Sequence, residues 1–306
     1  MKTTWKKATK SIRSPYWVLV APYGWLLLFF LIPFLIVLKI SFSDLKIGLP
    51  PYRPLMEWVA EGVLMIKLNF TNYAFIGGDF LYLFSYLESL VIAIIGTVGC
   101  LIIGYPIAYG ITKTAPPLRT VLLMMVILPF WTSFLLRVYA WIGILSPQGI
   151  LNTALIKIGI ILYPLTLLDT VFATIIGIIY CYLPFMILPL YASLEKIDYS
   201  LVEAAYDLGA KPFQAFFRVI WPLSLSGVIA GSMLVLIPAV GEFVIPELLG
   251  GSQTLMIGKV LWNEFFTNRD WPVASALAIL MLIFLFIPLT IFQRLQERQM
   301  RFLDAN

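Results

Sequence analysis

Three ionisable side chains, Glu88, Arg137 and Glu242, stand within long apolar runs of a 306-residue chain. Their types bound the chemistry open to it. A carboxylate in apolar surroundings attracts cations, and so does the face of an aromatic ring. Trp131, Tyr139 and Trp141 flank Arg137 in sequence, so with Glu242 and Glu88 they form a set suited to holding or passing a cation. Arg137 works against that set, because a guanidinium repels the same ligand. Two readings of Glu242 therefore stand side by side: a cation-facing carboxylate, or one half of a structural ion pair with Arg137. Removing one partner of a buried pair leaves an uncompensated charge, at a cost of roughly 3–5 kcal/mol.

Other chemistry is thinly represented. Histidine is absent, which removes the commonest catalytic base, proton relay and zinc ligand together. Cys100 and Cys181 lie far apart inside apolar runs and read as packing residues, with no metal site or disulfide expected. Gly258-Lys259 resembles the end of a phosphate-binding loop, but Val260 stands where Ser or Thr is needed and the glycine spacing is too long. The chain reads as one without a nucleotide site or enzymatic activity of its own.

The elements that position these residues follow from composition. Hydrophobic residues make up 61% of the chain and charged ones 12%, more apolar surface than a soluble fold of this length can hide. About 20 apolar residues cross a bilayer core as a helix. Six spans are predicted: Trp17–Ile40, Tyr86–Thr112, Val121–Trp141, Val171–Ser193, Trp221–Phe243 and Pro272–Phe292. The first run exceeds the length of a secretory signal, contains Pro22 and Pro33, and ends without a small-x-small site, so it is expected to be retained. In such a chain the aromatic residues have a plain reading too, as anchors at the membrane–water interface.

Basic residues orient the spans. Lys2, Lys6, Lys7, Lys10, Arg13, Lys113, Arg119, Lys196, Lys211, Arg218, Arg294, Arg298 and Arg301 fall on one side, thirteen against eight elsewhere. The positive-inside rule puts that side, with both termini, in the cytoplasm. The net charge of +5 is mostly this signal and does not point to nucleic acid. One membrane domain over 1–306 is expected: a cytoplasmic tail 1–16, a six-span core 17–293, an external loop 41–85, an internal loop 194–220, and a cytoplasmic tail 294–306. A short amphipathic helix is predicted around Ile150–Ile158 in the second external loop.

The internal loop is the most ordered polar interruption. Ser200 and Glu203 fit a Ser-x-x-Glu capping box, and Leu201, Ala204, Ala205 and Leu208 share one face of the helix that would follow. Gly209 suits a left-handed cap, and Pro212 the first turn of a second helix carrying Phe213, Phe216, Phe217 and Ile220. Small Ala204, Ala205 and Gly209 leave a surface that another protein can approach closely. A plain helical connector carries the same signals.

Glu203-Ala204-Ala205, three residues, Gly209, nine residues, then Val219-x-Trp221-Pro222 resembles the Glu-Ala-Ala loop of inner-membrane permeases of binding-protein-dependent ABC importers. That family's usual ending is Ile-x-Leu-Pro, from which this chain departs by Val219 and Trp221. Leu128 to Trp141, Pro238 to Gly251 and Asn268-Arg269-Asp270-Trp271-Pro272 are similar to the polyamine branch, the putrescine and spermidine permeases. The resemblance implies an all-α, six-helix type I importer permease in the bacterial inner membrane. It implies a second, homologous permease chain, two cytoplasmic ATPase subunits that carry the ATP, and a polyamine-binding protein outside. The Ser200, Glu203, Ala204, Ala205, Asp207, Gly209, Lys211 and Pro212 segment would seat in the ATPase. By their own chemistry, Glu242, Glu88, Trp131, Tyr139 and Trp141 are the candidates to face such a polycation.

Alternating access is the mechanism so implied, with Pro222, Gly227 and Gly231 as weak points in the fifth span. A permease for another small solute, or a cation carrier driven by an ion gradient, is the alternative. The carrier reading leaves the internal helix pair without a task.

Overall fold

The computed structural model describes residues 16–60, 63–252 and 254–304. Lys2, Lys6, Lys7, Lys10 and Arg13, and with them nearly all of the expected N-terminal tail, lie outside the described residues. Two compact units divide the chain. One runs to Tyr73 and takes up Asp270–Ile279, and the other comprises Ala74–Arg269 and continues from Leu280.

In the first unit, α1 (Tyr16–Leu26), a wide π-type turn over Leu27–Leu31 and α2 (Ile32–Ser41) form one helical run. The wide turn precedes Pro33, whose ring would meet the carbonyl four residues back in a regular helix. The segment read from sequence as an external loop is folded. Strands β1 (Met56–Ala60) and β2 (Val63–Ile66) pair antiparallel, and α3 (Thr71–Gly78) follows. Asn72 Nδ2 donates to the carbonyls of Ser41 and Ser43 at 3.0 and 2.9 Å, and the Tyr73 hydroxyl donates to Ser41 Oγ at 2.7 Å. Phe42 packs between Phe70 and Tyr73, and Tyr52 stacks on Trp271. Short polar side chains thus tie the segment back to the end of α2, which hydropathy alone does not register.

The second unit is built on α4 (Phe80–Thr112), α5 (Pro116–Ile127), α6 (Phe134–Leu145), α7 (Ile150–Lys157) and α8 (Val171–Leu194). The chain continues through α9 (Ser200–Asp207), α10 (Pro212–Ala215), α11 (Trp221–Val240), α12 (Val244–Leu249) and α13 (Ile257–Trp262) to α14 (Trp271–Asp304). Asp79 starts α4 by accepting the Leu81 amide at 2.9 Å, and Thr170 starts α8 by accepting that of Ala173 at 3.2 Å. Among the described residues, six segments are long and apolar enough to cross a membrane: Leu19–Ser41, Phe80–Thr112, Phe134–Lys157, Val171–Leu194, Pro212–Val240 and Trp271–Thr290.

One expected span is corrected here, and two expected segments gain detail. The predicted third span Val121–Trp141 is not one helix: α5 ends in a tight turn at Leu128–Trp131, and Thr132 is extended (φ −92°, ψ 152°) before α6 begins. Pro129 lacks the amide a continuous helix needs, and an apolar window cannot see that break. The helix after Pro212 does not stop before the fifth span but runs into it through a wide turn at Phe216–Ile220, again just ahead of a proline, Pro222. The C-terminal tail expected from Arg294 is helical as far as Asp304.

Helices α4, α8 and α11 pack on one another and form the core. Glycines permit the approach. A Cβ on Gly227 would stand 2.8 Å from the Pro189 carbonyl, and one on Gly231 would stand 3.1 Å from that of Met186. Both positions read from sequence as weak points are therefore tight helix–helix contacts. The Tyr105 and Ser224 hydroxyls meet at 2.8 Å across the same core. The thiols of Cys100 and Cys181 are buried and free.

Candidate functional site

Two regions bring the sequence-derived residues together, one at the surface and one within the spans. The surface region is α9 and the turn after it. The Ser200–Glu203 capping box is not formed. Asp198 instead accepts the Ser200 amide at 3.0 Å, and the helix is entered through Tyr199. That amide, and then the Ser200 hydroxyl, hold the Asp198 carboxyl below the usual aspartate range. An acid two residues ahead reaches the first free amide more directly than a reciprocal pair inside the helix, and its charge suits the helix N-terminus.

The far end of α9 behaves as expected. Gly209 is left-handed (φ +83°), its amide donates to Tyr206 O at 2.8 Å, and the Ala210 amide donates to Ala205 O at 3.0 Å. This is a Schellman cap, which needs a residue without Cβ strain at the left-handed position. The next helix starts with Pro212, and Gln214 Oε1 accepts the Lys211 amide at 3.0 Å.

The packing of α9 shows which of its faces is hidden. Val202 is buried, and Ala205, Tyr199 and Phe216 pack beside it on the core. Of the residues that share one face by helical spacing, Leu201, Ala204 and Leu208 are exposed, Leu208 to 89%, while Ala205 is half-buried. Phe213 is also exposed, to 74%. Ser200, Glu203, Asp207, Gly209, Lys211 and Pro212 share this exposure. The result is an apolar strip rimmed by charge on a short helix that belongs to none of the six spans. Contiguous exposed apolar surface with a polar rim is the kind of surface that proteins or membranes contact.

The second region is centred on Glu242, at the end of α11 and 8% exposed. Its Oε1 accepts the amides of Phe243 (3.1 Å), Val244 (3.0 Å) and Ile245 (3.4 Å), and its Oε2 accepts the Tyr182 hydroxyl. The ion pair with Arg137, one of the two readings of this carboxylate, is not formed: the hydrogen-bond partners of Glu242 are these amides and Tyr182. The amides that open the turn into α12 hold the carboxylate where it is, and a carboxylate favours such a position electrostatically.

Arg137, on α6, is 9% exposed and lies over the rings of Phe130 (5.1 Å) and Phe134 (5.7 Å). Its Nε and Nη1 have no acceptor. Arg137 and Glu242 share one neighbourhood through a chain of aromatic contacts rather than by direct pairing. Phe185 joins it through Phe130 and Tyr182.

The other residues of the expected cation path are more dispersed. Trp141 packs edge-on against Tyr180 at 5.5 Å, whereas Trp131 and Tyr139 are exposed to 83% and 54%. Glu88 is half-buried, and its Oε2 has no partner. Tyr182 was missed from sequence, because a tyrosine inside an apolar run carries no sign of its partner. Lys259, the false phosphate-loop lysine, is buried and bridges Glu247 Oε2 (3.1 Å) and the Gly251 carbonyl (2.8 Å). Among the described residues no cluster of three metal-ligating side chains occurs.

The comparisons agree with this architecture. Residues 12–302 match the family described as binding-protein-dependent transport system inner membrane component. The spermidine/putrescine transport system permease protein PotB of Haemophilus influenzae is 43% identical over 269 residues, covering 87% of this chain and 89% of that relative. PotB of Escherichia coli K12 is 39% identical over 279 residues, covering 90% and 96%. A bacterial alginate ABC transporter, solved with its pentasaccharide-bound periplasmic protein, superposes with a TM-score of 0.68 at 17% identity, over 92% of this chain and 93% of that one. At that identity the likeness shows the fold, that of a type I importer permease. The six apolar helices and these matches make this a multi-pass inner-membrane transport component, and the chain belongs to the family of inner membrane components of binding-protein-dependent transport systems.

Proposed function

We propose that this chain is one of two permease subunits of an ATP-driven polyamine importer, taking up putrescine or spermidine, and that α9 is the contact for a separate cytoplasmic ATPase. The observation that carries the reading is the outward apolar strip of Leu201, Ala204 and Leu208 on a helix stopped by Gly209. An ATPase groove would cover that strip. A plain connector would turn it inward, where Val202 lies instead.

The polyamine assignment draws on the two relatives named for spermidine and putrescine transport and on the Glu242 carboxylate with the aromatic rings near it. A polycation is favoured by a fixed carboxylate and ring faces. Both termini and α9 are cytoplasmic in this reading, by the distribution of Lys and Arg. A binding protein delivers the substrate to the outer side, and ATP-driven closure of the ATPase pair moves α9 against the α4–α8–α11 core.

Reconstitution tests it. Radiolabelled putrescine and spermidine should enter vesicles holding the two permeases, the ATPase and the binding protein only when ATP is supplied on the ATPase side. Uptake by this chain alone under a proton gradient would replace the importer with an ion-driven carrier.

A further inference from the structure

The ends of α4, α5, α8 and α9 enclose a polar cleft of about 380 Å³, lined by Thr112, Lys113, Thr114, Arg119, Glu195 and Tyr199. Neither the cation path nor the exposed strip of α9 accounts for it. Its charges are unequal. Arg119 Nη1 binds Glu195 Oε1 at 2.9 Å, so that carboxylate is already offset. Nη2 donates to the carbonyls of Thr112 (2.9 Å) and Thr114 (3.3 Å), while the enclosed Nε has no acceptor. Lys113 is the surplus cation. It is exposed, and its Nζ stands 3.5 Å from the centre of the Tyr199 ring and 5.4 Å from that of Tyr109.

We propose that this cleft binds an anionic phosphate group through Lys113, with Arg119 beside it. The surroundings favour a phosphate carried by a lipid. Lys113 directly follows the last residue of α4 and Glu195 that of α8, so the cleft lies level with the ends of two spans. Leu118, Val121 and Met125 lie along one outward face of α5, exposed to 51%, 51% and 62%, and offer acyl chains an apolar track beginning next to Arg119. Basic pockets between helices at the cytoplasmic surface suit anionic headgroups. Because Tyr199 leads into α9, an anion drawn to Lys113 acts on the ammonium that rests on that residue. The lipid's leaflet rests on the orientation proposed above.

The test uses the purified transporter, with this chain at full length and its partner subunits, in a neutral detergent. Phosphatidylglycerol, phosphatidylcholine and inorganic phosphate are added separately and the thermal midpoint is followed. Phosphatidylglycerol is expected to raise the midpoint by about 3 °C, as binding to the folded state does. Phosphatidylcholine should leave it in place. Lys113→Gln should remove most of the rise, and Lys113→Arg should keep it. An equal rise with inorganic phosphate supports the site and assigns it to a free anion. No rise with either phosphate, or a full rise in Lys113→Gln, overturns it. Orientation is read separately by labelling Lys196→Cys with an impermeant maleimide in vesicles of each sidedness, since Cys100 and Cys181 are buried. A wrong orientation changes the leaflet and leaves the detergent result untouched.

Discussion

The Tyr182 hydroxyl donates to Oε2 of Glu242, while the other carboxylate oxygen takes three successive backbone amides. The carboxylate is thereby fixed without a cationic partner, although Arg137 lies in the same neighbourhood. An anion held by dipoles keeps its charge available to a passing cation, whereas one held by a guanidinium would not.

Glu242→Gln retains an oxygen for the amides, so the variant should insert and melt close to the parent. Uptake should fall about tenfold or more, as expected for losing one charge-assisted contact of roughly 1.5–3 kcal/mol. Adding Arg137→Met should not restore it. Membrane accumulation by immunoblot and polyamine uptake in cells read the two effects apart. Poor accumulation rescued by Arg137→Met would mean that a pair forms after all.

At Gly209 the cost of a side chain is conformational, since no heavy atom lies within 4 Å of an added Cβ, while φ is +83°. Gly209→Ala should destabilise the turn by about 1–2 kcal/mol. Gly209→Asn should be milder, because asparagine enters the left-handed region more readily. ATP hydrolysis and uptake, measured together, should become unlinked in Gly209→Leu while the spans remain inserted.

Gly227 and Gly110 make a matched comparison inside spans. A Cβ on Gly227 would meet Ser193 Cβ at 2.5 Å and the Pro189 carbonyl at 2.8 Å, whereas one on Gly110 meets nothing within 4 Å. Gly227→Ala should cost about 1–3 kcal/mol by overpacking. Gly110→Ala should be neutral or stabilise by about 0.4–1 kcal/mol. Thermal unfolding in detergent, followed by size-exclusion chromatography, gives the order.

Asp198 gives a pH dependence with a defined sign. Its carboxyl is held lower in the folded chain than in the unfolded one, so its stabilisation is complete above the ordinary aspartate range and is lost as pH falls through the lowered value. Transport should therefore show no Asp198-dependent change between about pH 5 and 8, where an ordinary aspartate is already ionised. Asp198→Ala should impair coupling more than Ser200→Ala, the reverse of what a Ser-x-x-Glu box requires. Uptake per ATP hydrolysed in the two variants settles the order.

Much of the fold was legible because apolar runs of span length have few other uses, and Gly209 because few residues other than glycine take its φ readily. The break at Leu128–Trp131 was hidden by apolar neighbours on both sides of Pro129. The caps depended on competition: Asp198 outran Glu203 for the first amide of α9, and three amides outran Arg137 for Glu242. Periodicity found the two faces of α9 but not which one packs. Burial of Val202 against Phe216 and Tyr199 decides that, and those contacts lie outside the helix's own sequence.

The direct test of the account is the affinity of the partner ATPase for the membrane-inserted permease carrying Leu208→Asp, measured against the parent. Leu208 is 89% exposed, so the change leaves the fold of this chain intact. A desolvated carboxylate in the contact should weaken binding by about tenfold or more, equivalent to about 1.4 kcal/mol, and ATP-driven uptake should fall with it. Unchanged affinity and unchanged uptake would contradict the account and return α9 to the role of a connector.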